Sequence, residues 1–304
     1  MPLRKLILLL LALCAPPAFA VNCTGKGVEL QVLGSGGPET QDKRAASSYV
    51  LWQDGKARVL VDSGGGSALR FGQAGANMAD LDLILFTHFH ADHSADFPAL
   101  VKSSYFEDRQ RNLPVYGPIG NAEFPSATDF LQNLFGAKHG AFRYLSEYIT
   151  PGAGSYLLQA HTVKLGAKEV RRVFSSDGIT ADATTVIHGS VPALAWRVQI
   201  GGQHITFSGD TNGDNGNLEK LAAHADIFVA HNAVPEGASG AARSLHMPPS
   251  VIGRIAATAE VKHLILSHRM LRTLGRETDT LAVIAQRYTG PTEFADDLDC
   301  FALH

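Results

Sequence analysis

Cysteine, basic charge and long apolar runs are all in short supply. Three cysteines in 304 residues, Cys14, Cys23 and Cys300, are too few for a disulfide-dense scaffold. Lys and Arg number 26 against 29 Asp and Glu, a formal charge of −3, so no nucleic-acid surface is expected. The glycine-rich stretch Gly34-Ser35-Gly36-Gly37-Pro38 lacks the Lys-Ser/Thr pair of a phosphate-binding loop, and no helical pattern follows it. It reads as a plain turn after a strand at 29–33. The apolar run 6–14 is too short to cross a bilayer and is followed by Pro16 and Pro17. With 45% hydrophobic and 18% charged residues, the chain reads as one large or two intimately packed globular units.

What is present begins with residues 1–20, where Arg4 and Lys5 precede the apolar run and Ala18-Phe19-Ala20 closes it. That is the layout of a secretory signal peptide. Cleavage after Ala20 is expected, leaving residues 21–304 as a single periplasmic or secreted domain with no stable membrane anchor. Cleavage removes Arg4 and Lys5, which makes the balance more acidic, and it removes Cys14. Cys23 and Cys300 then stand at the two ends of the mature chain in a compartment where disulfides persist, and a bond between them is expected.

The densest chemistry follows the strand-like run Leu83-Ile84-Leu85-Phe86, in Thr87-His88-Phe89-His90-Ala91-Asp92-His93. Imidazoles at i and i+2 of an extended segment point to the same side, so His88 and His90 can share one ion. Asp92 and His93 can face a second. Neutral imidazole and carboxylate are what a borderline-soft divalent ion selects, and no structural role demands this spacing. Further strands at 48–52 and 57–61 lead to Asp62, which suits either support of a ligating histidine or a local turn. Helical spacing covers 95–106, a strand 113–116, and a helical, aromatic insertion about 121–150. Its Phe124, Phe130, Phe135, Phe142, Tyr144 and Tyr148 read equally as core and as cover for a site. Beyond it, strand patterns end repeatedly in His or Asp, at His188, Asp210, His231 and His268. His188 reads as a ligand delivered by a strand end. Asp210, in Ser208-Gly209-Asp210-Thr211, is the candidate bridge, because a carboxylate can join two cations and one imidazole nitrogen cannot.

Taken in order, the motifs resemble the metallo-β-lactamase superfamily, in particular the branch containing tRNA 3′-processing endonucleases (tRNase Z) and zinc-dependent arylsulfatases. The resemblance covers nearly the whole mature chain. It rests on Leu33-Gly34-Ser35-Gly36 with Ser47-Ser48-Tyr49, Val61-Asp62-Ser63-Gly64, the histidine cluster with Pro98, and Tyr116-Gly117-Pro118. It continues through His188, Phe207-Ser208-Gly209-Asp210-Thr211, His246 and Leu266-Ser267-His268. It implies the α/β class and an αββα four-layer sandwich, two facing mixed β-sheets flanked by helices, with metals at one end. His88, His90 and His188 would hold one Zn2+ and Asp92, His93 and His268 a second, with Asp210 shared. Mn2+ or Fe would suit the same nitrogen and oxygen ligands. His246 matches an additional active-site histidine that contacts the scissile group or its leaving oxygen; with Asp92 and Asp210 it makes the candidate catalytic set. His231 and Asn232 stand beside the site as residues supporting ligands or substrate.

Departures from the branch shape the functional expectation. Asn232 occupies a position where glutamate is common, and an amide can orient His246 but cannot stabilise its protonated form as a carboxylate would. Asp96 stands where a glycine is frequent, and no basic tRNA-gripping arm is visible between His93 and His188. With export and the acidic balance, these features argue for a small-molecule ester substrate and against nucleic acid. The expectation is an exported binuclear hydrolase of phosphate or sulfate esters, of arylsulfatase or phosphodiesterase type, using a metal-activated water. A lactonase or β-lactamase is the alternative, a tRNase Z-type ribonuclease comes after it, and a non-catalytic metal-sequestering protein is the third class. A homo-oligomer is left open.

Overall fold

The computed structural model describes residue 23 and residues 25–303; the expected signal peptide lies outside the described residues. The first sheet is built from β1 (Val28–Gly34), β2 (Ser48–Gln53), β3 (Lys56–Val61), β4 (Leu83–Leu85), β5 (Leu113–Pro118) and β6 (Leu158–Val163). The second holds β7 (Val170–Ser176), β8 (Ile179–His188), β9 (Val191–Ile200), β10 (Gln203–Phe207), β11 (Ile227–His231), β12 (Leu264–Ser267) and β13 (Thr292–Phe294). The last strand, β14 (Cys300–Leu303), returns to the first sheet beside β1, giving orders β14-β1-β2-β3-β4-β5-β6 and β13-β12-β11-β10-β9-β8-β7. Each seven-stranded sheet is mixed: β14 to β3 pair antiparallel and β3 to β6 parallel, while β7 to β10 pair antiparallel and β10 to β13 parallel.

Side-chain alternation explains why the sheets face each other. In β2, Tyr49 and Leu51 point into the layer between the sheets, while Val50 and Trp52 point outward. The inner layer joins Leu30, Val59 and Leu85 of the first sheet to Trp196, Phe207 and Val229 of the second. Outside the first sheet, helices Ser67–Gln73, Phe97–Ser103 and Ala127–Phe135 contribute Phe71, Phe97 and Phe135 to a second apolar layer. Outside the second sheet, helices Asn217–Leu221, Pro249–Thr258 and Glu277–Ile284 do the same with Leu218, Ile255 and Ile284. The result is the expected αββα sandwich.

Cys23 and Cys300 are bonded, with Cα atoms 5.4 Å apart across a sequence separation of 277. The stretch 121–150 contains the helix Ala127–Phe135 and a 3-10 helix Arg143–Ile149. Of its aromatics, Phe130, Phe135 and Tyr148 join the outer layer of the first sheet, whereas Tyr144 is 63% exposed. Asp96 accepts the backbone N–H of Ala68 at 2.9 Å, fixing the start of a helix, which gives this departure from the branch a structural purpose. Among the described residues, no helix is long and apolar enough to cross a membrane.

Candidate metal centre

Both sheets contribute to one edge of the sandwich. From the first come Asp62 after β3 and the histidine cluster after β4; from the second come His188 closing β8, Asp210 after β10, His231 closing β11 and His268 after β12. His90 is extended, with φ −66° and ψ 154°, and the short helix Ala91–Ser94 begins directly after it. That change of backbone brings Asp92 and His93 beside His268, with the His93 ring centroid still 4.0 Å from that of His88.

Two groups of donor atoms result. His88, His90, His188 and Asp210 form one; His93, Asp210, His231 and His268 form the other. In the first, His90 Nδ1 lies 3.0 Å from His88 Nε2 and 3.4 Å from His188 Nε2, and Asp210 Oδ2 lies 3.5 Å from His188 Nε2. A tetrahedral ion with bonds of about 2.0–2.1 Å spaces its ligands by about 3.3 Å, which fits these separations. In the second, Asp210 Oδ2 and Asp92 Oδ2 each lie 3.7 Å from His93 Nε2, and Asp92 Oδ2 lies 3.2 Å from His268 Nε2. Asp210 thus faces both groups, with Oδ1 also 3.3 Å from His268 Nε2.

The outer ring nitrogens determine which inner ones are free. His188 Nδ1–H donates to the Leu245 carbonyl at 2.9 Å and His93 Nδ1–H to Asp62 Oδ2 at 2.8 Å, leaving each Nε2 a lone pair. Thr87 organises this support: its N–H and hydroxyl donate to the two Asp62 oxygens at 2.7 and 2.8 Å, and its Oγ1 lies 3.1 Å from His88 Nδ1. Asp62 therefore supports the cluster rather than a turn. His231 behaves differently from the other imidazoles. Its Nδ1–H donates to Asp210 Oδ1 at 2.7 Å and its Nε2 meets the Tyr49 hydroxyl at 3.0 Å, so both nitrogens are used in orienting the shared carboxylate. Gly37 passes so close that a Cβ there would sit 2.7 Å from His268 Cε1, which excludes any larger residue without moving that ring. Asp62 and His268 both hold positive φ, 57° and 52°, a costly conformation for residues with a side chain.

Charge follows from burial and neighbours. Burial pushes His88 well below the ordinary imidazole range and lowers His90 as well. Burial also penalises charge on His93 and His268, but Asp62, Asp92 and Asp210 outweigh it at His93, and Asp210 with Asp92 at His268, so both are raised. Against the cost of burial, His93 and His268 hold the Asp92 carboxyl down at about 2. The three nitrogens of His88, His90 and His188 gather at 3.0–3.4 Å, and the fully buried His93 Nε2, without a hydrogen-bond partner, faces Asp92 and Asp210. This is a donor set for divalent cations.

His246 stands beside the cluster, its Nδ1 3.9 Å from Asp210 Oδ2 and without a hydrogen-bond partner; burial pushes its pKa down to about 4. Asn232 does not orient it: neither amide atom of this buried side chain makes a hydrogen bond. His161, His204, His224 and His263 lie elsewhere, stacked on Tyr116 or paired with Arg197, Glu260 and Glu293. Sequence reasoning missed three contributors. Thr87 and Tyr49 lay within quoted motifs but carried no role, and Phe124, whose ring centroid is 5.5 Å from that of His90, was one aromatic among several.

Comparison with known proteins bears on the fold and corrects the substrate expectation. The metallo-β-lactamase fold protein YhfI from Bacillus subtilis is similar with a TM-score of 0.69 at 19% identity, covering 91% of this chain and 100% of that one. The human short-form tRNase Z is similar with a TM-score of 0.68 at 19% identity, covering 91% and 99%. In sequence, a protein named ribonuclease Z from Mycobacterium bovis (strain BCG / Pasteur 1173P2) is 28% identical over 290 residues, 91% of this chain and 99% of its own. A ribonuclease Z from Listeria monocytogenes serovar 1/2a is 27% identical over 308 residues, covering 90% and 99%. These relatives, matched over about nine-tenths of this chain, are thus named as ribonucleases, which overturns both the small phosphate or sulfate ester and the expected absence of a nucleic-acid partner. The physical error lies in using whole-chain charge: an acidic total says nothing about the local field where cations gather. A model of the beta-lactamase superfamily domain matches residues 57–269, more than half of the chain. With this fold and its His/Asp centre for divalent metal, the chain belongs to the β-lactamase superfamily, as a hydrolase of the metallo-β-lactamase fold.

Proposed function

We propose that the protein is a metal-dependent endoribonuclease of the ribonuclease Z kind, hydrolysing a phosphodiester bond in RNA, with tRNA precursors as the substrate class. End-to-end similarity to proteins named ribonuclease Z carries the reading. The surroundings of the centre support it. A cavity of about 560 Å³ is lined by Phe124, whose ring centroid lies 5.5 Å from that of His90, and another of about 270 Å³ reaches Asp92, bounded by Pro38, Thr40 and Arg44. A phosphodiester, with a substituent on each side of phosphorus, has use for both.

The residues would divide the work as follows. His88, His90 and His188 hold one divalent ion, Asp92, His93 and His268 a second, and Asp210 both; zinc suits this donor set. Bound there, such ions supply an activated water and neutralise charge developing on the phosphodiester. Thr87, Asp62 and the Leu245 carbonyl hold the imidazoles in the ligating tautomer. His246, kept neutral by burial, donates a hydrogen bond to the departing oxygen. The test is cleavage of a 3′-extended tRNA precursor by purified protein of known metal content, before and after chelation. Chelator-sensitive cleavage restored by zinc is expected; fully metallated protein that cleaves no RNA overturns the proposal.

A further inference from the structure

We propose that the loop 119–126 is a nucleobase subsite, in which Phe124 stacks on a base next to the scissile phosphodiester. The inference rests on the RNA reading above and adds to it the contact that selects the flanking nucleotide.

Position is the first argument. The Phe124 ring meets the His90 ring at 5.5 Å and 63°, and the half-buried residue is among those that line the 560 Å³ cavity. Its neighbour Phe130 has a different fate, stacked on Phe89 at 4.3 Å and packed into the outer core. Rigidity is the second. Asn121 Oδ1 accepts the N–H groups of Glu123 and Phe124, both at 2.9 Å, and the Asn121 N–H donates to the Phe124 carbonyl at 2.9 Å. Its Nδ2 donates to the Ser190 carbonyl at 2.8 Å, two residues beyond His188, so the loop is fastened to the turn that follows the strand delivering that histidine. A loop held in this way loses little freedom on binding. Chemistry is the third. Glu123, Asp129, Asn121 and Asn133 line the same cavity. Carboxylates repel phosphate but accept hydrogen bonds from the amino and imino groups of bases, so the cavity favours a base over the backbone. An aromatic face beside such acceptors is the usual arrangement for holding unpaired nucleotides.

The test uses the metallated enzyme and RNA in which an abasic nucleotide replaces, in turn, each residue flanking the cleaved bond. Base–aromatic stacking predicts that one abasic position lowers kcat/KM about 5- to 150-fold in the wild type. Phe124→Ala should show the same loss on intact RNA and no further loss on that abasic substrate. Phe124→Trp should retain activity, and in metal-free protein its indole fluorescence should be quenched by intact RNA and not by the abasic strand. The two natural tryptophans, Trp52 and Trp196, are buried and provide a constant background. Phe124→Ala that cleaves intact RNA like wild type, or that loses equally on both substrates, overturns the subsite while leaving the nuclease intact. Metallated wild type that cleaves no RNA brings down both.

Discussion

Replacing Asp62 by Asn changes one atom and should disable one of the two ion sites. The backbone at 62 has φ 57°, which Asn tolerates nearly as well as Asp, so the variant keeps its local conformation. Thr87 N–H, 2.7 Å from Oδ1, can only donate, which forces the amide oxygen into that place and the NH2 into the place of Oδ2. There it meets His93 Nδ1 at 2.8 Å as a donor facing a donor. His93 relieves the conflict by moving its proton to Nε2, the nitrogen turned towards Asp92 and Asp210, and so loses its ligand lone pair. Loss of such a supporting partner costs about 10- to 100-fold in metal affinity, or about 1.4–2.7 kcal/mol. The weakened charge-assisted bonds cost roughly 1.5–3 kcal/mol of folding stability, a fall in Tm of roughly 3–12 °C. Chelator-competition titration with elemental analysis should find the site of His88, His90 and His188 filled and the site of His93 largely empty. Asp62→Asn binding two ions with wild-type affinity would refute the tautomer argument.

Other perturbations follow from the same geometry. His246→Ala should lower RNA turnover about 10²- to 10³-fold with metal content unchanged; unchanged turnover of RNA removes the assigned role. Because His93 and His268 are raised and His88 and His90 lowered, an ion must displace protons from the former pair but not from the latter. Affinity at the His93/His268 site should therefore fall first as pH drops below neutrality, and calorimetry in buffers of different ionisation heat should find more protons released by that ion. Equal proton release at both sites contradicts the charge assignment. Cys23→Ser with Cys300→Ser should destabilise the protein by about 2–5 kcal/mol, read from thermal melts, without altering metal stoichiometry. A loss of metal in that variant would show that the bond reaches the site.

Much of the site was legible because its signals are local. The spacing of His88, His90, Asp92 and His93 needs only an extended segment followed by a helical turn, and the sandwich follows from strands of alternating or fully apolar character such as β2 and β11. What stayed hidden depends on the tertiary fold or on too few residues. The β6 strand is half exposed, with His161 on Tyr116, and carries little apolar pattern; β13 spans three residues. The helix Ser67–Gln73 contains Gly72, which weakens its signal. Positive φ at Asp62 and His268, the double use of His231 and the part played by Tyr49 arise only when the two sheets meet. The substrate was misjudged for a related reason, since composition averages over surfaces that the substrate never meets.

Division of the ligands between the sheets makes ion affinity a property of an assembly rather than of a chain segment. The first sheet brings His88, His90, Asp92 and His93, the second His188, Asp210 and His268; the chain crosses between the sheets at the turn between Val163 and Val170 and crosses back where β14 pairs with β1. A break in that turn would yield halves neither of which holds a complete coordination sphere. The Cys23–Cys300 bond would still join the halves; with that bond reduced, zinc concentration would govern whether they meet, and the same architecture that serves as a hydrolase would behave as a metal-gated switch for fragment association.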